Sequence, residues 1–320
     1  MKTKAAYLVK AGQFEILEEE VNPGKGEVLI KMAVCALCNY ELNHWEGLMG
    51  TPPMKLGHEG AGTIVEVGEG VEAFKVGDKV TGGIWQSFSE YAVANQNELY
   101  RLKDNIDPTY GFCEPLKCVT TVLRSTSPEA GDCGVVVGCG PMGLWCIQGL
   151  KGNLISGLIA IDVKDSNLEL AKKYGATHVI NPIKEDAEAR IAEITGGHMA
   201  DFVIEGTGNP VVLDRSMNYL RASTGRLVVM SSFKHPAQSF DLRLAVKKAV
   251  RIIVAHGSDT AHDDWRRATD MINNGTYIIK EVVSHEFKLE DINTAFQMLE
   301  NKPEGFIKGI IKFSSDAIEI

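Results

Sequence analysis

The chain has 320 residues, 44% of them hydrophobic and 23% charged, and a net charge of -9. That is globular composition with room for two ordinary domains, and it excludes disordered, collagen-like and coiled-coil classes. No Lys/Arg-rich run supplies the basic stripe a nucleic-acid partner needs, so the expected partner is a small molecule. The N-terminal lysines are followed by Gly12, Gln13 and an acid cluster before any secretory apolar region forms, and no unbroken apolar span of about 20 residues occurs, so neither export nor a membrane partner is expected. Seven cysteines without a regular framework fit a reducing compartment, and a cytoplasmic protein is expected.

Up to about residue 115, short β-like runs alternate with glycine turns. In GAGTIVEVGEGVEAFKVGDKV, Ile64, Val65 and Val67 precede one turn and Val76 another. This reads as a small antiparallel, barrel-like β domain. From about 120 the texture becomes strand-helix alternation, which calls for a doubly wound parallel sheet. Its strands are expected at Val135 to Val137, Leu158 to Ile161, His178 to Ile180, Phe202 to Ile204, Leu227 to Met230 and Ile252 to Ala255. The helix after the second strand takes Ser166 as N-cap and Gly175 as its stop. The last 60 or so residues carry a helix from Trp265, the strand VVSHEF, the helix DINTAFQMLEN and the closing strand GIIKF. They are expected to return to the first domain. The division is therefore 1–119, 120–256 and 257–320, the first and last forming one domain.

GVVVGCGPMG sets Gly138, Gly140 and Gly143 in the G-x-G-x-x-G spacing, after a β-branched strand and before the helix LWCIQGLK, with Pro141 and Met142 counted with the glycines as cofactor-binding residues. The first glycine permits the tight turn, the second lets backbone approach a pyrophosphate, and the third packs helix on strand, while free N–H groups attract phosphate. Asp162, at the tip of the next strand, can accept from the adenosine ribose and would repel a 2′-phosphate, which favours NAD over NADP; nearby Lys164 softens that repulsion. Thr207 and Ser231, at later strand ends, are expected toward the nicotinamide half.

Three further clusters precede the fingerprint: VCALCNYELNHWEG, LGHEGAG and CEPLKC. Catalytic zinc takes three protein ligands from Cys, His and carboxylate. Cys38, His58 and Glu114 supply one such set, with Glu59 beside it. Each also has an ordinary reading, as buried thiol, loop histidine and surface acid, and spacing alone does not bring them together.

These segments, in the order Cys38, GHEGAGTIVEVGEGV, VGDKV, EPL and G-x-G-x-x-G, resemble the medium-chain zinc-dependent alcohol dehydrogenase family over nearly the whole chain. The EPL form resembles its sorbitol and polyol dehydrogenase branch. The resemblance implies a GroES-like catalytic domain plus a Rossmann domain, one catalytic Zn2+ and NAD as cofactor, and a homodimer or homotetramer. It makes Cys38 and His58 zinc ligands, Glu59 a ligand or close neighbour of one, and Glu114 the third position, directly or through water. The reaction implied is hydride transfer between a secondary alcohol (a polyol, sugar alcohol or cyclitol) and NAD. The alternatives are a zinc-free reductase of the same superfamily and a non-enzymatic dinucleotide sensor.

The chain also departs from the family pattern. GDKV runs straight into TGGIWQSFSEYAV, without the four-cysteine lobe of many relatives, so no second zinc is expected. Cys35 and Cys38 form a lone C-x-x-C, and Cys35 is read as packing. Where the family has Gly, Ser/Thr, an acid and then His, this chain has Asn39, Tyr40, Glu41 and Asn43. Tyr40 can carry a proton through its hydroxyl and Asn43 cannot titrate; His44 stands one residue further on. Trp45, Trp85 and Phe88 are candidates for the pocket wall or for the core. His178, His198, His235, His256, His262 and His285 have no ligand pattern and are read as structural or exposed.

Overall fold

The structure is a computed structural model that describes residues 1–152, 154–233, 240–255 and 263–313. His235, His256 and His262 lie outside them. The chain divides into two compact units, Met1–Pro115 with Trp265–Ile320, and Leu116–Asp264.

In chain order the first unit contributes β1 (Lys2–Lys10), β2 (Gln13–Glu20), β3 (Glu27–Ala36), α1 (Asn39–Trp45), β4 (Met54–Lys55), β5 (Glu59–Val67), β6 (Lys79–Gly82), β7 (Tyr91–Asn95) and β8 (Leu99–Arg101). α2 (Glu114–Thr126) follows. The second unit then builds β9 (Cys133–Val137), α3 (Pro141–Leu150), β10 (Gly157–Ile161), α4 (Asp165–Tyr174), β11 (His178–Ile180), α5 (Ala187–Ile194), β12 (Phe202–Glu205), α6 (Pro210–Ser216), β13 (Arg226–Val229), α7 (Leu242–Lys248) and β14 (Arg251–Val254). α8 (Asp264–Asn273), β15 (Val283–Phe287), α9 (Ile292–Asn301) and β16 (Lys308–Lys312) complete the described chain.

β16 pairs antiparallel with β3, Ile310 opposite Ala36, so the last described strand joins the sheet of the first unit. That sheet runs β15-β16-β3-β5-β6-β8 with β7 also on β3, and β2-β1-β4 form a smaller sheet. It is not purely antiparallel: β15 and β16 are parallel, joined through α9. The core of this unit is aromatic. Phe14 stacks on Trp45 at 5.6 Å and Trp45 on Phe296 at 5.4 Å, with Phe88 edge-on to Phe296 at 5.7 Å. Trp45 and Phe88 are 4% and 1% exposed, so both belong to the core and neither lines a pocket.

In the second unit all pairings are parallel and the order is β11-β10-β9-β12-β13-β14. The strand order reverses between β9 and β12, which is where a doubly wound sheet opens a crevice at its carboxyl edge. β9 and β10 are buried throughout and rich in β-branched residues, as strands covered on both faces must be. Ser166 is not the N-cap of α4: the cap lies two residues earlier, at Lys164, without a side-chain cap bond. Asp162 explains this, because its Oδ1 accepts from Lys164 N at 2.8 Å and turns the chain into the helix before Ser166 is reached. Gly175 ends the helix at φ 129°, a backbone conformation that disfavours any side chain.

Candidate active site

Three segments of the first unit meet around His58. Cys38 caps α1, its Sγ accepting from Tyr40 N at 3.5 Å. His58 sits just before β5, after Gly57 at φ 100°; a Cβ on Gly57 would lie 2.6 Å from Phe88 N and 3.0 Å from Cys35 Sγ, so this approach requires glycine. Glu59 opens β5 and Glu114 opens α2. The buried Thr81 ties the last two together, its hydroxyl donating to Gly60 O at 3.0 Å and accepting from Cys113 N at 3.0 Å.

Ligand atoms of Cys38, Glu41 and His58 lie within 4.8 Å of one another, as do those of His58, Glu59 and Glu114. His58 Nδ1 is bonded to Glu41 Oε1, and Nε2 lies 3.6 Å from Glu114 Oε2. Glu41 is thus the partner that orients the imidazole, a role that carboxylates take beside metal-bound histidines. Glu41 Oε2 is buried with no hydrogen-bond partner among the described residues.

Burial, then the Glu59 carboxylate, pushes the Cys38 thiol up to about 11, against the pull of His58. Burial alone would lower His58, but the Glu41 carboxylate, with Cys38, raises it to about 12. Glu59 is 2% exposed and pairs with Lys308 Nζ at 2.6 Å; Lys308, 5% exposed, also donates to Leu37 O at 2.8 Å. Burial works against the Lys308 charge, and Glu59 outweighs it and raises the group. Three carboxylates therefore crowd one lysine and one histidine. The Cys/His/carboxylate set suits zinc.

Around this centre, Trp85 stacks on His58 at 5.9 Å and Tyr40 meets it edge-on at 5.4 Å. Both are open to solvent, at 55% and 47%. Tyr40 also contacts the ring of His44 at 5.0 Å. His44 is buried, with Nδ1 on Met49 O at 2.9 Å and Nε2 without a partner among the described residues. The Asn43 backbone carbonyl accepts from Leu48 N at 2.9 Å. Cys35 is fully buried against Ser87 Oγ at 3.2 Å, a packing thiol. Of the other histidines, His178 and His198 are exposed and His285 packs on Phe287 and Phe306.

In the second unit the fingerprint loop joins β9 to α3, with Gly138 at φ 92°, Gly140 as the N-cap and Pro141 at the first helical position ahead of Met142. A Cβ on Gly140 would meet nothing within 4 Å, whereas one on Gly143 would lie 2.0 Å from Gly138 O. Asp162 does more than end a strand. Its Oδ2 accepts from Cys139 N at 2.7 Å and from Asn167 Nδ2 at 3.2 Å, so it also fixes the loop. Thr207 and Ser231 stand at the carboxyl ends of β12 and β13, both hydrogen-bonded to the fully buried Glu205.

Two functional candidates were not singled out from the sequence, Lys308 and Glu205. The only signal for either was position: a lysine opening a closing strand, and an acid ending a buried one.

A parallel sheet of this strand order, a GroES-type β unit and a Cys/His/Glu cluster define a dehydrogenase fold. The alcohol dehydrogenase GroES-like domain model matches residues 24–104 and the zinc-binding dehydrogenase model matches 141–274. L-threonine 3-dehydrogenase of Pyrococcus furiosus is 30% identical, with 98% of each chain covered. Sorbitol dehydrogenase of Halalkalibacterium halodurans is 29% identical over 91% of this chain and 93% of its own. Among solved structures, 2R,3R-butanediol dehydrogenase from Bacillus subtilis superposes with a TM-score of 0.87 at 26% identity, covering 98% of this chain and all of the other. The chain belongs to the medium-chain zinc-type alcohol dehydrogenase family and is an oxidoreductase of that family.

Proposed function

We propose that the protein transfers a hydride between a secondary alcohol bearing neighbouring hydroxyls, of the polyol or cyclitol kind, and NAD. The observation that carries this is that His58 belongs to two groups of potential metal ligands, one with Cys38 and Glu41 and one with Glu59 and Glu114, in a chain that also holds a dinucleotide fingerprint. Cys38, His58 and Glu114 would hold zinc, with Glu59 a ligand or, while bound to Lys308, a neighbour of one. Bound there, zinc supplies Lewis acidity that lowers the pKa of an alcohol hydroxyl. Glu41 keeps His58 Nε2 directed at the ligand set. Tyr40, exposed beside His58, would accept and pass on the alcohol proton through its hydroxyl. Asn43 contributes hydrogen bonds only. On the second unit Gly138, Gly140 and Gly143 with the start of α3 take the pyrophosphate, and Asp162 takes the adenosine ribose, which favours NAD.

The test is elemental mass spectrometry of protein purified without chelators or an affinity tag, with NAD reduction followed on polyols and cyclitols. About one zinc per chain is expected, and Cys38→Ser loses both metal and activity, the latter by roughly a thousandfold or more. Activity indifferent to zinc would overturn the assignment. Ultracentrifugation of the same sample checks a homodimer or homotetramer, for which exposed Ile252 and Val254 on the edge strand β14 offer a surface. A cytoplasmic site fits seven free thiols; among the described residues no helix is long and apolar enough to cross a membrane.

Trp85 supplies the substrate end of the reading. An exposed indole over His58 offers an apolar face to the C–H side of a polyol whose hydroxyls point elsewhere. Trp85→Ala is expected to raise KM for a cyclitol about fivefold to tenfold with kcat within about twofold, the mark of lost uniform binding. A fall in kcat alone would instead make Trp85 a support for His58.

A further inference from the structure

Glu205 is a fully buried carboxylate that none of the roles above uses. Among the described residues no cation pairs with it. Its hydrogen-bond donors come from two residues that reach the carboxyl edge of the sheet. Oε1 accepts from Thr207 N at 2.7 Å and from the Thr207 hydroxyl, and Oε2 accepts from the Ser231 hydroxyl. Thr207 is exposed and Ser231 half-buried. Thr207 also packs toward the fingerprint, since a Cβ on Gly138 would lie 3.0 Å from its Cγ2.

A hydroxyl has one hydrogen and two lone pairs. Ser231 donates its hydrogen to Glu205, and among the described residues no donor takes either of its lone pairs. Thr207 spends its hydrogen likewise and uses one lone pair on Asn209 N at 3.1 Å, keeping one. We propose that Glu205 sets the hydrogen-bonding polarity of this edge, locking Ser231 and Thr207 as acceptors, so that it selects the donor-bearing half of the cofactor. The shared ligand chemistry is a hydrogen-bond donor, either the hydroxyls of the nicotinamide ribose or the carboxamide amine. Glu205 is a positioning residue in this account, which rests on the dinucleotide reading.

Glu205→Gln tests it with little change of shape. Thr207 N is a donor and holds the amide oxygen of the new side chain, so the amide nitrogen must face Ser231. Ser231 then accepts from it and turns its own O–H outward, so that group presents a donor and one lone pair where it presented two lone pairs. The measurement is calorimetric titration of the full chain with ADP, ADP-ribose and NAD. In Glu205→Gln, ADP affinity is expected within about twofold of the parent and NAD affinity about tenfold lower, the size of one mismatched hydrogen bond. A loss already present with ADP-ribose assigns the ribose hydroxyls, and a loss appearing only with NAD assigns the carboxamide. Because the effect runs through Ser231, adding Glu205→Gln to Ser231→Ala should weaken NAD no further. If Glu205→Gln does not fold, Ser231→Ala alone must show the same loss from ADP to NAD. Equal losses for ADP and NAD, or a full additional loss on Ser231→Ala, would make Glu205 a structural residue and overturn the proposal. A parent chain that binds ADP and NAD but shows neither loss also overturns it, leaving the dinucleotide reading intact; one that binds none of the three removes both.

Discussion

Metal-free protein titrated with zinc at pH 7 is expected to release close to two protons per ion bound, because metal ligation requires both thiolate and neutral imidazole. Without metal the Cys38 thiol is pushed up to about 11 and His58 to about 12, so at pH 7 both carry their protons. For Cys38 the cause is burial and then Glu59. For His58 burial opposes protonation, and the Glu41 carboxylate on Nδ1 overrides it; with Cys38 a neutral thiol at pH 7, Glu41 is the anion that holds the imidazolium. Both shifts are upward, so protons compete with metal at neutral pH and the apparent affinity rises with pH. With two protons displaced the slope approaches a hundredfold per pH unit between about 6 and 8. Calorimetry in buffers of different ionisation enthalpy counts the protons. Glu41→Gln removes the anion that holds His58 charged, and its release should drop to about one proton. Affinity flat with pH in the parent chain would mean that Cys38 and His58 are not the ligands.

The two halves of the molecule differ in how far they could be read without coordinates. The parallel strands around Val135, Ile159 and Val203 are short continuous apolar runs between turn residues, and their order follows from strand-helix alternation, so all six lay within a residue or two of their expected bounds. Ser166 is a good capping residue by type, but the helix start is set by Asp162, which turns the chain through a local bond from Lys164 N and is itself held by a tertiary bond from Cys139 N. The metal cluster is a harder case. Cys38, His58 and Glu114 come from three separate segments, and only family resemblance brought them together in advance. Lys308 enters through the pairing of β16 with β3, a contact between opposite ends of the chain that no local pattern encodes. Trp45, Trp85 and Phe88 show the same limit at single residues. Aromatic type does not say which side of a sheet a residue faces, and only packing on Phe14 and Phe296 separates the two core rings from the one beside His58.

The glycines of the fingerprint should separate folding from binding when each is replaced by alanine. Gly143→Ala puts a methyl 2.0 Å from Gly138 O, and the obstacle is backbone that cannot swing aside. Either α3 moves off β9 or the loop opens, at a cost of about 3 kcal/mol or more, in the range of severe core overpacking. Thermal stability should therefore fall together with affinity for ADP and NAD. Gly140→Ala presents the opposite case. Its φ of -69° suits any residue and its Cβ meets no atom within 4 Å, so the melting temperature should barely change. The space that the methyl enters is where backbone must approach the pyrophosphate, and affinity for ADP and NAD should drop about tenfold or more without loss of fold. Melting curves and nucleotide titrations on the two variants check both outcomes. If Gly140→Ala binds ADP and NAD like the parent, the pyrophosphate does not lie against this loop, and the three-glycine spacing is a structural turn alone.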